Sequence, residues 1–89
     1  MNIERTFEVI NTLGLHARAA ARLVGEVNRF GCDVRLAREG EEVNGKSIMG
    51  VLTLAAAKGT TVDVRCEGHD AGPCMEAIAQ LFESGFGED

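Results

Sequence analysis

The sequence predicts an α+β domain, an open-faced β-sandwich in which a four-stranded antiparallel sheet is covered on one face by three helices. Three observations lead there. Apolar and polar residues alternate in four short segments. Three further segments repeat their apolar residues at helical spacing. The segments follow one another as β-α-β-β-α-β-α, and each has one apolar face to bury, a need that one layer of helices on one sheet meets in a chain of 89 residues.

In the first segment Ile3, Arg5, Phe7 and Val9 alternate with Glu4, Thr6 and Glu8, giving a strand of about eight residues that ends at Asn11-Thr12-Leu13-Gly14. Over 17–28, Ala20, Leu23, Val24 and Val27 share one helical face while Arg18, Arg22, Glu26 and Arg29 follow the other, and the helix closes near Gly31. Cys32, Val34 and Leu36 mark a second strand. The turn Glu39-Gly40 reverses it into a short third strand through Val43, so the two form a hairpin. Ser47 is placed to cap a short helix over 48–54 that stops before Lys58-Gly59. Val62, Val64 and Cys66 alternate with Asp63, Arg65 and Glu67 in the fourth strand. Pro73 stands where the last helix starts; Ile78, Leu81 and Phe82 form its apolar stripe, and Gly85 ends it. No repeat, linker or low-complexity stretch interrupts this order, so 1–89 read as a single domain.

Composition removes several functions. The net charge is −5, with acidic residues thickest at Glu39, Glu41, Glu42 and over 83–89, which opposes a nucleic-acid partner. No apolar run reaches the roughly 20 residues of a membrane helix, and Met1-Asn2-Ile3-Glu4-Arg5 lacks the regions of a signal peptide, so a cytoplasmic protein with no membrane partner is expected. Cys32, Cys66 and Cys74 form no C-x-x-C pair and suit reduced thiols. Cys66, His69 and Cys74 lie close in sequence, but closed zinc sites use about four ligands and Cys66 shares the alternation of Val62 and Val64; neither metal nor cofactor is expected.

Gly40-Glu41-Glu42-Val43-Asn44-Gly45-Lys46-Ser47 satisfies G-x-x-x-x-G-K-[ST], the phosphate-cradling loop of nucleotide-binding proteins. The match reads as accidental. A doubly wound sheet does not fit in this chain, Glu41 and Glu42 would repel a phosphate, and Val43 belongs to a strand.

Gly14-Leu15-His16-Ala17-Arg18 places a histidine at the head of the first helix. A helix N-terminus exposes unpaired N–H groups and about half a positive charge, so it favours anions and disfavours an imidazolium. A phosphoryl group on that ring would find donors in the amides of Ala17 and Arg18 and in the Arg18 guanidinium. On the residues alone, a plain cap at His16 and a solvated Arg18 are the commoner explanation.

These five residues, followed further on by Asn44-Gly45-Lys46-Ser47-Ile48-Met49-Gly50-Val51, resemble the HPr family, the histidine-containing phosphocarriers of the bacterial phosphoenolpyruvate-dependent phosphotransferase system. The likeness runs essentially end to end, and the ending Leu81-Phe82-Glu83-Ser84-Gly85-Phe86 is similar to the nitrogen-related branch. The resemblance implies a carrier rather than an enzyme. In it His16 accepts the phosphoryl group on Nδ1 from enzyme I and passes it to an EIIA-type domain, and Arg18 steadies the phosphate. It also implies Ser47 as a regulatory site for an HPr kinase/phosphorylase. An HPr-like domain that acts by binding alone is the alternative, and His16 argues against it. One departure stands out: Ala19 occupies the family's proline position, where it gives up a preset φ but remains a good helix former.

The helix after Ser47 carries two apolar sectors. Val51, Leu54 and Ala55 are expected to face the core; Ile48, Met49 and Leu52, with Ala21 and Lys46, are expected to form a docking surface for partners of a monomeric carrier. His16 and Ser47 are expected to cap helices whose N-termini open towards the same end of the sandwich.

Overall fold

The alternating segments become strands and the helically spaced ones become helices. The computed structural model describes residues 1–88. It contains β1 (Asn2–Glu8), α1 (Ala17–Val27), β2 (Asp33–Arg38), β3 (Glu41–Asn44), α2 (Ile48–Thr53), β4 (Thr61–Glu67) and α3 (Ala71–Glu83), with a 3-10 turn over Gly85–Gly87. The strands lie in the order β1-β4-β2-β3, and every neighbouring pair is antiparallel. This is the predicted four-stranded sheet with three helices.

Register decides which side chains share a face. Ile3, Arg5 and Phe7 lie opposite Cys66, Val64 and Val62, while Val34 and Leu36 flank Cys66 and Val64 from the other side. This face is covered by Ala19, Ala20, Leu23, Val24 and Val27 of α1, by Val51 of α2, and by Cys74, Met75, Ile78 and Phe82 of α3. Arg5 shares the core face, at an edge strand, and keeps its charge in water: its guanidinium lies 4.8 Å above the Phe7 ring and 3.9 Å from Glu83. The opposite face carries Glu4, Arg65 and Arg35 in one cross-strand row, with Arg35 held by Asp33 at 3.2 Å and Arg65 by Glu42 at 3.4 Å.

Three details differ from expectation. The last helix begins at Ala71, so Pro73 falls within its first turn, where a missing N–H costs nothing. Helix α2 ends at Thr53, and Arg38 Nε donates to the Leu54 carbonyl at 2.8 Å; Ala55 then turns left-handed (φ 51°) and is exposed, so it does not join Val51 and Leu54 in the buried sector. The third concerns direction. Asn28, at the end of α1, donates to the Lys46 carbonyl just before α2, and the Leu15 amide donates to the Ala56 carbonyl just after it. The two helices therefore run antiparallel, and His16 and Ser47 cap opposite ends of the pair. The β2–β3 hairpin causes this, because it returns the chain beside the far end of α1.

No helix is long and apolar enough to cross a membrane among the described residues.

Candidate functional site

The loop between β1 and α1 is built around Gly14. Its φ is +66°, and a Cβ there would lie 2.5 Å from the Ala56 carbonyl oxygen, so only glycine lets the loop pass. The Gly14 amide donates to the Asn11 carbonyl at 3.1 Å and the Leu15 amide to that of Ala56 at 2.9 Å. The chain then delivers His16 in an extended conformation (φ −76°, ψ −176°) as the N-cap of α1, with its carbonyl accepting from the Ala20 amide at 2.8 Å.

The imidazole has two different environments. Nδ1 turns back over its own helix, and the Arg18 amide donates to it through a long contact of 3.4 Å. Nε2 meets the Glu88 carboxylate, 2.8 Å from Oε2 and 3.0 Å from Oε1. A carboxylate only accepts, so Nε2 carries the proton and Nδ1 keeps its lone pair; this hydrogen-bond network assigns the tautomer.

Glu88 reaches the ring because the chain reverses after α3 through Gly85, Phe86 and Gly87, all with positive φ. Phe86 is buried and packs edge-on against Phe82 at 5.1 Å, and Phe82 stacks on Phe7 at 4.9 Å, anchoring the reversal to the sheet. Asn11, 1% exposed, donates from Nδ2 to the Gly14 carbonyl at 2.8 Å and to Glu88 Oε1 at 3.0 Å. One buried amide thus joins the glycine turn, the carboxylate and the imidazole; its own Oδ1 has no partner among the described residues. The hydrogen bond from His16 is the main reason the Glu88 carboxyl sits below the ordinary carboxylate range. Partial desolvation opposes the shift, whereas the Asn11 bond and the Arg18 charge support it.

Arg18 is exposed, and with Thr12, Leu13, Gly87 and Glu88 it lines an open cleft of about 470 Å³ beside the ring. It has no salt-bridge partner among the described residues, so its guanidinium is available to an incoming anion. Together these groups offer an in-plane lone pair, a helix N-terminus, an exposed guanidinium and a carboxylate behind the ring. That set suits formation of an N–P bond at Nδ1, because the carboxylate offsets the positive charge the ring acquires as the bond forms.

The remaining predicted residues lie elsewhere. Ser47 caps α2, its Oγ accepting from the Gly50 amide at 3.1 Å. Ile48 and Met49 are 43% and 71% exposed, Ala21 is exposed on α1, and Leu52 is half-buried against the core. Lys46 folds inward, and its Nζ donates to the Phe30 carbonyl at 2.6 Å. The Gly45 amide donates to the Val34 carbonyl at 2.8 Å, and a Cβ at Gly45 would lie 2.6 Å from the Val34 side chain. The segment that mimics a phosphate loop is thus strand, core contact, helix-end clamp and cap in turn. The group Cys66, His69, Cys74 does not assemble: His69 is exposed, and Cys32 takes its place beside the two thiols. Sequence reasoning missed Asn11 as a site residue and missed Glu88 altogether; the latter lies 72 positions from His16, with no local pattern to mark it.

Residues 3–84 match the family described as PTS HPr component phosphorylation site. The phosphocarrier protein HPr of Xylella fastidiosa strain Temecula1 is 48% identical over 87 residues, 98% of each chain. Among solved structures, HPr-C-His from Thermoanaerobacter tengcongensis matches with a TM-score of 0.94 at 38% identity over 98% of both chains. An HPr dimer from the same organism matches with a TM-score of 0.79 at 38% identity, over 91% of this chain and 93% of that one.

Proposed function

Because the chain belongs to the HPr family of phosphocarrier proteins, we propose that His16 is the residue on which it carries the phosphoryl group. A protein of this family relays phosphoryl groups in the phosphotransferase system and is not itself an enzyme. The observation that supports His16 is the Nε2–Glu88 contact, which leaves Nδ1 as the nucleophile at the mouth of the cleft.

In the transfer, the Nδ1 lone pair attacks phosphorus, the N–P bond forms, and the bond to the donor breaks with its electron pair leaving on the donor. The transferring group spreads negative charge over its equatorial oxygens. Those oxygens lie within reach of the first amides of α1, which have no carbonyl acceptors in the helix, and of the Arg18 guanidinium. The Arg18 amide gives up only a long contact to Nδ1. The same steps in reverse hand the group to the acceptor.

Enzyme I as donor and an EIIA-type domain as acceptor are the partners that family membership supports. The docking surface is assigned to Ile48, Met49, Leu52 and Ala21, with Lys46 at its margin, and it runs along the paired helices from Ser47 towards His16. Ser47 is the regulatory site for an HPr kinase/phosphorylase where one is present. The protein acts in the cytoplasm as a monomer; sedimentation at working concentration tests the latter against the dimer of its relative.

Incubation with enzyme I and labelled phosphoenolpyruvate is expected to place a single acid-labile, base-stable phosphate on the protein. His16→Ala should abolish it, and persistent labelling of that variant would overturn the assignment. A wild-type protein that takes no label yet binds its partners would restore the binding-only reading.

A further inference from the structure

Three thiols that the phosphoryl chemistry does not use meet at the other end of β4. Cys32 precedes β2, Cys66 lies near the end of β4 and Cys74 near the start of α3; all are at most 2% exposed, and their sulfur atoms lie within 4.8 Å of one another. The triangle is built in advance. The register Val34 to Cys66 fixes β2 against β4. Gly68, with φ +147°, lets the chain after β4 pass so close that a Cβ there would sit 2.8 Å from the Cys32 Cβ. Asp70 accepts from the amides of Gly31 and Cys32 at 2.8 and 2.9 Å and holds that loop down over the cluster.

The surroundings select the charge of the ligand. All three sulfurs are enclosed by the apolar core, where an uncompensated charge is costly. The Asp70 carboxylate, bound to the amides of Gly31 and Cys32, adds negative charge beside the triangle. Three thiolates around a monovalent or divalent ion would therefore leave uncompensated negative charge in the core, which is costly. A trivalent centre cancels them. Zinc is further disfavoured because its closed sites take about four ligands. Bonds of about 2.3 Å, as in zinc thiolates, around a pyramidal centre set three sulfurs roughly 3.5 Å apart, so the triangle, now within 4.8 Å, needs to contract by up to about 1.3 Å.

We propose that Cys32, Cys66 and Cys74 form a binding site for a trivalent thiophilic metalloid of the arsenite class. The step balances without a redox partner: As(OH)₃ meets three S–H groups, three As–O bonds break as three As–S bonds form, and three waters leave with the thiol protons. Arsenic stays trivalent and the site stays neutral. Access is by local opening of the loop that Asp70 holds, a segment of irregular structure between α1 and β2.

The test is titration of the reduced full chain with arsenite, followed by native mass spectrometry. The expected adduct gains a single arsenic and loses three hydrogens, with all three cysteines protected from alkylation. Cys32→Ala, Cys66→Ala and Cys74→Ala, each checked for native circular dichroism, should each weaken binding by more than about a hundredfold, beyond the 10–100-fold that loss of an outer partner costs a metal site. The wild-type Tm should rise with arsenite, because the folded triangle binds more tightly than the unfolded chain. A Tm that falls or stays constant means that unfolded thiols are the target, and an adduct that survives on the triple-alanine variant means that the cysteines are not; either result overturns the site.

Discussion

At one end of β4, Glu88 closes on the side chains of His16 and Asn11; at the other, Asp70 closes on the backbone amides of Gly31 and Cys32. Glu88 grips the far nitrogen of the proposed nucleophile and leaves the near one open to an exposed cleft. Asp70 grips the main chain and seals three nucleophiles inside the core. The difference shows that a carboxylate's effect on reactivity depends on what it leaves uncovered. Both groups sit at an element boundary, and both are held below the usual carboxylate range by the donors they accept from: His16 first for Glu88, the Gly31 amide first for Asp70.

The sharpest way to break this comparison is through the glycines that permit each closure. Gly14→Ala would drive a Cβ to 2.5 Å from a backbone oxygen at φ +66°, a left-handed strain alone worth roughly 1–3 kcal/mol. It should lower Tm and also abolish rapid phosphoryl transfer. Gly68→Ala, which crowds Cys32 at φ +147°, should lower Tm comparably and leave transfer rates per folded molecule unchanged. Melting curves beside labelling rates separate the two; a Gly14→Ala protein with normal transfer would mean the turn does not position His16.

Next in size are the carboxylates. Glu88→Gln should slow transfer on the order of tenfold, the loss of one charge-assisted contact to the ring, with little change in Tm. Asp70→Asn should do the reverse, lowering Tm while the labelling rate holds. If both variants changed the same observable, the two ends would not be independent.

Acid should undo both closures together. Each carboxyl has a folded pKa below its ordinary value, so its contribution is fully present above the ordinary carboxylate range of about 4 and is lost as pH falls through the depressed value. Stability should therefore be flat near neutrality and decline on the acid side, and Asp70→Asn should flatten part of that decline. The groups facing Glu88 are His16, Asn11 and Arg18; those facing Asp70 are His69 and Cys32 with the Gly31 and Cys32 amides. Denaturant titrations at stepped pH give the slope directly.

Much of this architecture is legible in one dimension, and the limit has a physical reason. Ile3, Phe7, Val62 and Val64 announce their strands because alternation is a property of neighbours, and His16 announces a helix head because Gly14, Leu15 and Ala17 stand beside it. The antiparallel run of α1 and α2 is not legible in the sequence because local periodicity carries no direction. Cys32 stands apart from the other thiols in sequence because its approach to Cys66 depends on β2 pairing with β4, across a crossover in the strand order. Glu88 depends on three successive positive φ values, one at Phe86, a residue whose type gives no sign of that conformation.

The smallest expected effects lie on the outer side of the paired helices. Ser47→Asp adds part of a phosphoserine's charge inside the proposed docking surface, and Met49→Ala removes its most exposed apolar side chain. Each should weaken enzyme I binding severalfold with Tm nearly constant. Calorimetric titrations in which both variants bind like wild type would move the surface elsewhere.

The aromatic chain Phe7–Phe82–Phe86 has a consequence for heat. Short irregular turns outside a sheet open locally at a lower free energy than the sheet they rest on. When Phe86 leaves Phe82, Glu88 leaves His16, although the strands remain paired. Warming should therefore slow the carrier, by about as much as Glu88→Gln does, before it melts, and the fall in transfer rate would lie to the cool side of the unfolding curve, with activity returning on cooling.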